Sequence, residues 1–187
     1  MIDIFSQGEP QNVITVLANK DWRNQQQQFL LRQNQHATLL SLKLNIPGSI
    51  KNNDYLSNLF VQGYQQISKQ LKLANCIVID KVLQVKRATG PEAILVIDTT
   101  GEQLKKISIQ FEDESKLGRI FDVDVITQNN TQLSRTQLGY SPRSCYVCGA
   151  NAKVCARSQC HSMQLIKNFL NKIYRDEISQ NEIKNNC

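Results

Sequence analysis

The stretch "GRIFDVDVI" (118–126) constrains the fold more than any other, because it sets two aspartates one residue apart in an otherwise apolar run. Apolar residues at every second position specify a strand with Phe121, Val123 and Val125 turned into a core. Asp122 and Asp124 then share the opposite face, with Cα atoms about 7 Å apart. Two carboxylates this close repel and raise each other's pKa unless a cation stands between them. Either the face is solvated and the aspartates are solubilising, or they hold a cation. Mg²⁺ is the expected ion, since it takes a few carboxylate oxygens and completes its shell with substrate phosphates. Glu112, read as the end of the preceding strand, could add a third carboxylate. Gly118 would allow close backbone approach, and Arg119 would offer a fork for a phosphate.

The rest of the chain supplies partners for such a strand. "ANKDWRNQQQQFLLRQNQ" (18–35) lacks Gly and Pro and reads as a helix. "TLLSLKLNIPG" (38–48) alternates, which predicts a half-buried strand with Leu40, Leu42, Leu44 and Ile46 inward and Ser41, Lys43 and Asn45 outward. A helix follows the Asn/Asp cap at "NND", with Leu56, Leu59, Phe60, Tyr64, Ile67 and Leu71 on one face. Four strand-like runs come next, at 76–87, 92–98, 105–112 and 119–126, joined by "ATGP", "TTGEQL" and "DESKLG". "TQNNTQ" closes the sheet region, a helix spans 162–178, and the polar tail from 179 to 187 should fray. The expectation is a single α+β domain over 1–187, with an antiparallel or mixed sheet of about five strands packed by helices. A cysteine-rich loop would precede the C-terminal helix.

Four of the six cysteines fall in "PRSCYVCGANAKVCARSQCHS". No apolar run is long enough to span a membrane, and the N-terminus shows no secretory pattern, so a cytoplasmic setting is expected. There cysteines stay reduced and a disulfide framework is not the explanation. A C-x₂-C knuckle followed by Cys155 and then Cys160 and His161 suits Zn²⁺, with either of the last two as fourth ligand. Small buried thiols packed against the last helix are the simpler reading.

The 22 Lys and Arg against 16 Asp and Glu, net +6 with a pI near 9.0, favour anionic partners. The positive residues are scattered and only 6% of residues are aromatic, which argues against nucleic acid. Lys86 and Arg87 beside the Gly90–Pro91 turn, and Lys51 after Gly48, could contact phosphate. Arg143, Lys153 and Arg157 make the cysteine segment basic.

Taken in order, "IPGSIKNN", "ATGPEAILVI", "IQFEDESKLGRIFDVDVIT" and "SPRSCYVCGANAKVCARSQCH" resemble the apo-citrate lyase phosphoribosyl-dephospho-CoA transferase family, from about Val13 to about His161. The family's recurrent positions fall here on Gly48, Lys51, Gly90, Pro91, Glu92, Glu112, Gly118, Arg119, Asp122, Asp124, Arg143, Cys145, Cys148, Cys155, Arg157 and His161. The resemblance favours His161 over Cys160 as fourth ligand. It implies a nucleotidyltransferase-type reaction in which triphosphoribosyl-dephospho-CoA donates its phosphoribosyl-dephospho-CoA unit to a serine of the citrate lyase acyl carrier subunit, releasing pyrophosphate. Asp122 and Asp124, with Glu112, would then hold Mg²⁺ or take the serine proton. Arg119, with Lys86, Arg87 or Arg143, would balance the leaving group. A Mg²⁺-dependent nuclease using Glu112, Asp122 and Asp124, and a zinc-stabilised nucleic-acid-binding module, are the rival readings.

Overall fold

Three strands pair side by side at the centre of the structure, a computed structural model that describes residues 2–185, with side chains as far as 177. Strand β1 (Thr38–Leu44) lies between β3 (Glu92–Asp98) and β4 (Phe121–Ile126). Strands β2 (Ile77–Gln84) and β5 (Gln132–Leu133) form the edges, in the order β2-β3-β1-β4-β5. Every pairing is antiparallel.

One face carries the main core. Leu40, Leu42, Ala93, Leu95, Ile97, Phe121, Val123 and Val125 project from it, as the alternation predicts. They meet α2 (Asp54–Leu73), α3 (Gly101–Glu114) and the C-terminal helix α5 (Met163–Asn185) through Leu59, Phe60, Ile67, Phe111 and Leu170. Helix α2 begins at Asn53, whose side chain accepts the Leu56 N–H. Phe121 stacks on Phe60 and meets Phe111 edge-on. Gly63 makes room for that ring, since a Cβ there would lie 2.2 Å from it.

The other face is covered by α1 (Val13–Gln33), which starts with a capping box between Asn12 and Thr15, five residues before the expected start. Register divides this face into rows: Val96–Leu39–Ile126, then Ile94–Ser41–Asp124, then Glu92–Lys43–Asp122. The first row is apolar and packs on Leu30 and Leu31 of α1. The last row is charged. Helix α1 matches this gradient: Asn19, Arg23 and Gln27, each four residues apart, face the polar rows. β1 is therefore buried on both faces along Thr38–Leu42, not on one as its alternation suggested.

Residues 105–112 are not a strand. They belong to α3, where Leu104, Ile107 and Phe111 pack inward at helical spacing. "KKISIQFE" satisfies both periods, and Thr100 decides between them by capping the helix, its hydroxyl accepting the Gln103 N–H. The fifth strand comes instead from the hairpin at "TQNNTQ". The polar tail expected to fray from 179 continues α5 to Asn185; residues 186 and 187 lie outside the described residues.

Candidate active site

Lys43 stands directly opposite Asp122 in the β1–β4 register and one step diagonal from Asp124. Its Nζ lies 2.6 Å from Asp122 Oδ2 and 3.1 Å from Asp124 Oδ2, so the cation between the two carboxylates is an ammonium. Burial pushes the Asp122 carboxyl up, but Lys43, aided by Arg143 and Lys105, holds it below the usual range. Burial likewise pulls the Lys43 ammonium down, and the two aspartates reverse this and raise it. Asp124 also accepts a hydrogen bond from Gln132. Asp122 is the more open of the pair, with 42% of its side chain exposed against 23% for Asp124.

The charged row continues across the sheet. Glu92, nearly inaccessible, accepts from Arg23 Nε at 2.6 Å, Arg23 Nη2 at 2.7 Å and Asn19 Nδ2 at 2.5 Å. Arg87 donates to Asn19 at 2.9 Å and lies 3.9 Å over the Trp22 ring. Helix α1 thus clamps the row from above, through residues that a solvent-exposed helix would not bury.

A second polar group forms at the outer edge of β4, because β5 pairs only with Val125 and Ile126. The Val123 N–H donates to Glu112 Oε1 at 3.0 Å, and Lys105 Nζ donates to the Val123 carbonyl at 3.4 Å. Glu112 is 2.9 Å from Arg135 and 3.6 Å from Arg143. Its burial pushes the carboxyl up, partly offset by Arg143, the Val123 N–H and Arg135. Burial lowers the Lys105 ammonium, offset in part by Glu112 and Asp124. Arg143 donates to the Arg119 carbonyl at 2.5 Å, and Arg119 donates to Ser144 Oγ at 2.9 Å and the Ser144 carbonyl at 3.0 Å. Asp113 receives Arg135 at 3.1 Å and Arg119 at 3.8 Å.

The structure therefore brings Asp122, Asp124, Glu112, Arg119 and Arg143 to one end of the sheet. Glu112 joins β4 at its backbone edge, where Val123 and two arginines occupy it. Gly118 is needed for packing: a Cβ there would sit 1.9 Å from the Phe111 carbonyl oxygen. Lys51 turns inward to the Ile46 carbonyl at 2.7 Å, and burial lowers its ammonium. Gly90 adopts φ +124° in the β2–β3 turn, close to the Lys51 carbonyl. Lys86 is solvent-facing and paired with Asp54 at 2.8 Å, and Arg157 is exposed on α4 (Ala152–Ser158). Neither is drawn into the polar centre by any contact described above. Sequence reasoning passed over Arg23, Lys43, Lys105 and Arg135 as participants. The polar spacing Asn19–Arg23–Gln27 running into Leu30 and Leu31 was the available signal for α1.

The cysteine segment folds beside this centre. Cys145, Cys148, Cys155 and His161 place their ligand atoms within 4.8 Å of one another. Cys145 Sγ is 3.4 Å from His161 Nε2, and Cys148 Sγ is 3.5 Å from Cys155 Sγ. Burial raises the Cys145 thiol, but the Cys148 and Val147 N–H groups and nearby side chains bring it down to about 7. Cys160 turns away to Ser158 Oγ and is exposed. Between this segment, Asn45, Pro47 and α5 lies a cleft of about 560 Å³, with Arg143, Tyr146, Met163 and Ile166 in its walls.

The comparisons with known proteins identify the family. Residues 11–177 match the model of the family described as apo-citrate lyase phosphoribosyl-dephospho-CoA transferase. A relative from Leuconostoc mesenteroides subsp. cremoris, Protein CitXG, is 35% identical over 92% of this chain, which spans only 37% of that protein. A probable apo-citrate lyase phosphoribosyl-dephospho-CoA transferase from Streptococcus pyogenes serotype M1 is 32% identical over 91% of this chain and 89% of its own length. The similarly named protein of Escherichia coli O139:H28 is 30% identical over 86% of this chain and 87% of its own. The chain belongs to the apo-citrate lyase phosphoribosyl-dephospho-CoA transferase family.

Proposed function

We propose that this chain transfers the phosphoribosyl-dephospho-CoA unit of triphosphoribosyl-dephospho-CoA to a serine of the acyl carrier subunit of apo-citrate lyase. The serine oxygen attacks the phosphorus nearest the ribose, a new phosphate ester bond forms, and the bond to the departing pyrophosphate breaks. Family membership supports the reaction. The observation that carries its placement is the Asp122–Lys43–Asp124 cluster at the charged end of the sheet, with Arg119, Arg135, Arg143 and Lys105 around the adjoining edge of β4.

Phosphoryl transfer depends on positioning and on neutralising charge. Lys43 and the arginines serve the polyphosphate, and Asp122, the more exposed carboxylate, is placed to take the serine proton. Asp122 and Asp124 are also hard oxygen donors of the kind Mg²⁺ takes, and would be the residues to hold it. When bound with the triphosphate, the ion would supply further charge neutralisation. The net charge of +6 favours both a polyanionic donor and an acidic carrier protein. No helix among the described residues is long and apolar enough to cross a membrane. A nuclease reading loses support because Glu112 is taken up by Val123, Arg135 and Arg143 instead of completing a three-carboxylate metal site.

Intact mass spectrometry of the apo acyl carrier subunit, incubated with this protein, triphosphoribosyl-dephospho-CoA and Mg²⁺, tests the proposal. The expected result is a mass gain equal to the donor minus pyrophosphate, lost in Asp122→Asn and on adding EDTA. Folded protein that produces no mass change would overturn the transfer reading. Full activity in EDTA would remove Mg²⁺ alone, and full activity of Asp122→Asn would remove the site assignment.

A further inference from the structure

We propose that Cys145, Cys148, Cys155 and His161 bind one Zn²⁺ in a closed structural site that fastens the cysteine segment beside the reaction centre. Tetrahedral Zn²⁺ with bonds of about 2.3 Å to sulfur and about 2.0 Å to nitrogen spaces its ligand atoms about 3.5–3.8 Å apart. The observed separations of 3.4 Å and 3.5 Å, with all four atoms within 4.8 Å, need only a small adjustment to reach that geometry. Thiolate and imidazole are the donors that select this metal over Mg²⁺.

The backbone is shaped for the same purpose. The Val147 N–H points at Cys145 Sγ at 3.4 Å, and the Gly149 N–H closes on the Cys145 carbonyl at 2.9 Å with Gly149 at φ +77°. This tight turn presents both sulfurs of C-x₂-C to one point. Helix α4, capped by Asn151, delivers Cys155, and the left-handed Gln159 turns the chain so that His161 returns while Cys160 points out.

The segment also has little apolar burial of its own. From 134 to 162, Cys145 and Cys155 are the only buried residues, so there is no apolar core to offset the ordering cost. A metal that binds the folded arrangement and not the unfolded chain supplies that stability. All four positions are taken by protein atoms, leaving no open position for substrate or water, which makes the site structural. Its reach extends to the centre through the two residues before the knuckle. Arg143 holds the Arg119 carbonyl and faces Glu112, and Ser144 receives Arg119. Tyr146, inside the knuckle, stacks on Phe169 of α5 with centroids 4.8 Å apart.

The test is metal analysis of the full chain purified under reducing conditions without chelator, followed by exchange with Co²⁺. The expected results are about one Zn²⁺ per chain and a Co²⁺ form with thiolate charge-transfer and strong tetrahedral d–d absorption. X-ray absorption at the zinc edge should give three sulfur neighbours and one nitrogen. Cys148→Ser should lose the metal, Cys76→Ser and Cys160→Ser should retain it, and His161→Ala should alter the Co²⁺ spectrum. Because the ligand variants can misfold, the wild-type stoichiometry and absorption edge decide the matter. Reduced, folded protein that neither carries nor takes up Zn²⁺ would overturn the proposal, as would a Cys148–Cys155 disulfide in the purified protein. Loss of metal in Cys160→Ser with retention in His161→Ala would overturn the ligand set.

Discussion

Lys43→Met removes one ammonium and leaves a side chain of similar length. Each attraction, taken at about 4 Å between charge centres with an effective dielectric of about 20, is worth about 4 kcal/mol before desolvation is counted. Burying the ions offsets most of that gain. Exposed pairs are worth up to about 1 kcal/mol, and stripping one partner from a fully buried pair costs about 3–5 kcal/mol. Lys43 and Asp124 are 24% and 23% exposed and Asp122 is 42% exposed, which places this cluster between those limits. The expected loss is about 2 kcal/mol, or about 4–8 °C in Tm for a chain of this size. Urea unfolding followed by circular dichroism should show a lower midpoint with an unchanged slope. The sharper test is a double-mutant cycle with Asp122→Asn. In the wild type, Asp122→Asn removes an attractive partner and should destabilise. In the Lys43→Met background it relieves repulsion between two carboxylates that no ammonium bridges, so its cost should shrink or reverse. An Asp122→Asn effect of the same sign and size in both backgrounds would refute the view that Lys43 is what the two aspartates hold.

Glu112→Gln keeps an acceptor for the Val123 N–H and removes a charge that burial disfavours more than Arg143, Val123 and Arg135 favour it; with Asp113 still on Arg135, thermal melts at neutral pH should show no loss of stability, and a large loss would refute that balance. Gly118→Ala drives a methyl to within 1.9 Å of the Phe111 carbonyl oxygen, so the turn must shift; a loss of about 1–3 kcal/mol or more is expected, readable in the same melts. Acid titration of stability should expose Asp122. Its folded pKa lies below the ordinary value of 3.8, so its contribution is present above pH 3.8 and is lost as pH falls through the lower folded value. Over that window the unfolded chain binds more protons, and Asp122→Asn should flatten the decline.

Strands β1 and β4 could be read from their alternation, because a half-apolar period of two has few other outlets, and β3 from a short continuous apolar run between turn signals. The α2 face and the shared face of Asp122 and Asp124 were likewise readable, since both depend only on residue spacing along one element. The C-x₂-C knuckle and its later Cys and His could be named, and so could the family, from ordered motifs. Residues 105–112 read as a strand from the sequence and form a helix, because Ile107, Ile109 and Phe111 suit a strand while Leu104, Ile107 and Phe111 suit a helix. Tertiary packing onto Phe121, together with the Thr100 cap, selects the helix and puts Glu112 and Lys105 against β4.

The partners of the charged residues depended wholly on the folded chain. Lys43 meets Asp122 because β1 and β4, separated by helix α2, strands β2 and β3 and helix α3, pair in one register. A slip of one residue would turn every side chain of the strand to the opposite face. Arg23 reaches Glu92 because α1 crosses the same face at its polar end. Sequence by itself determined which residues carry charge and which face of each element they occupy, because those are local properties of spacing. Only the tertiary structure decided which charges meet, because long-range strand register and helix docking set those distances.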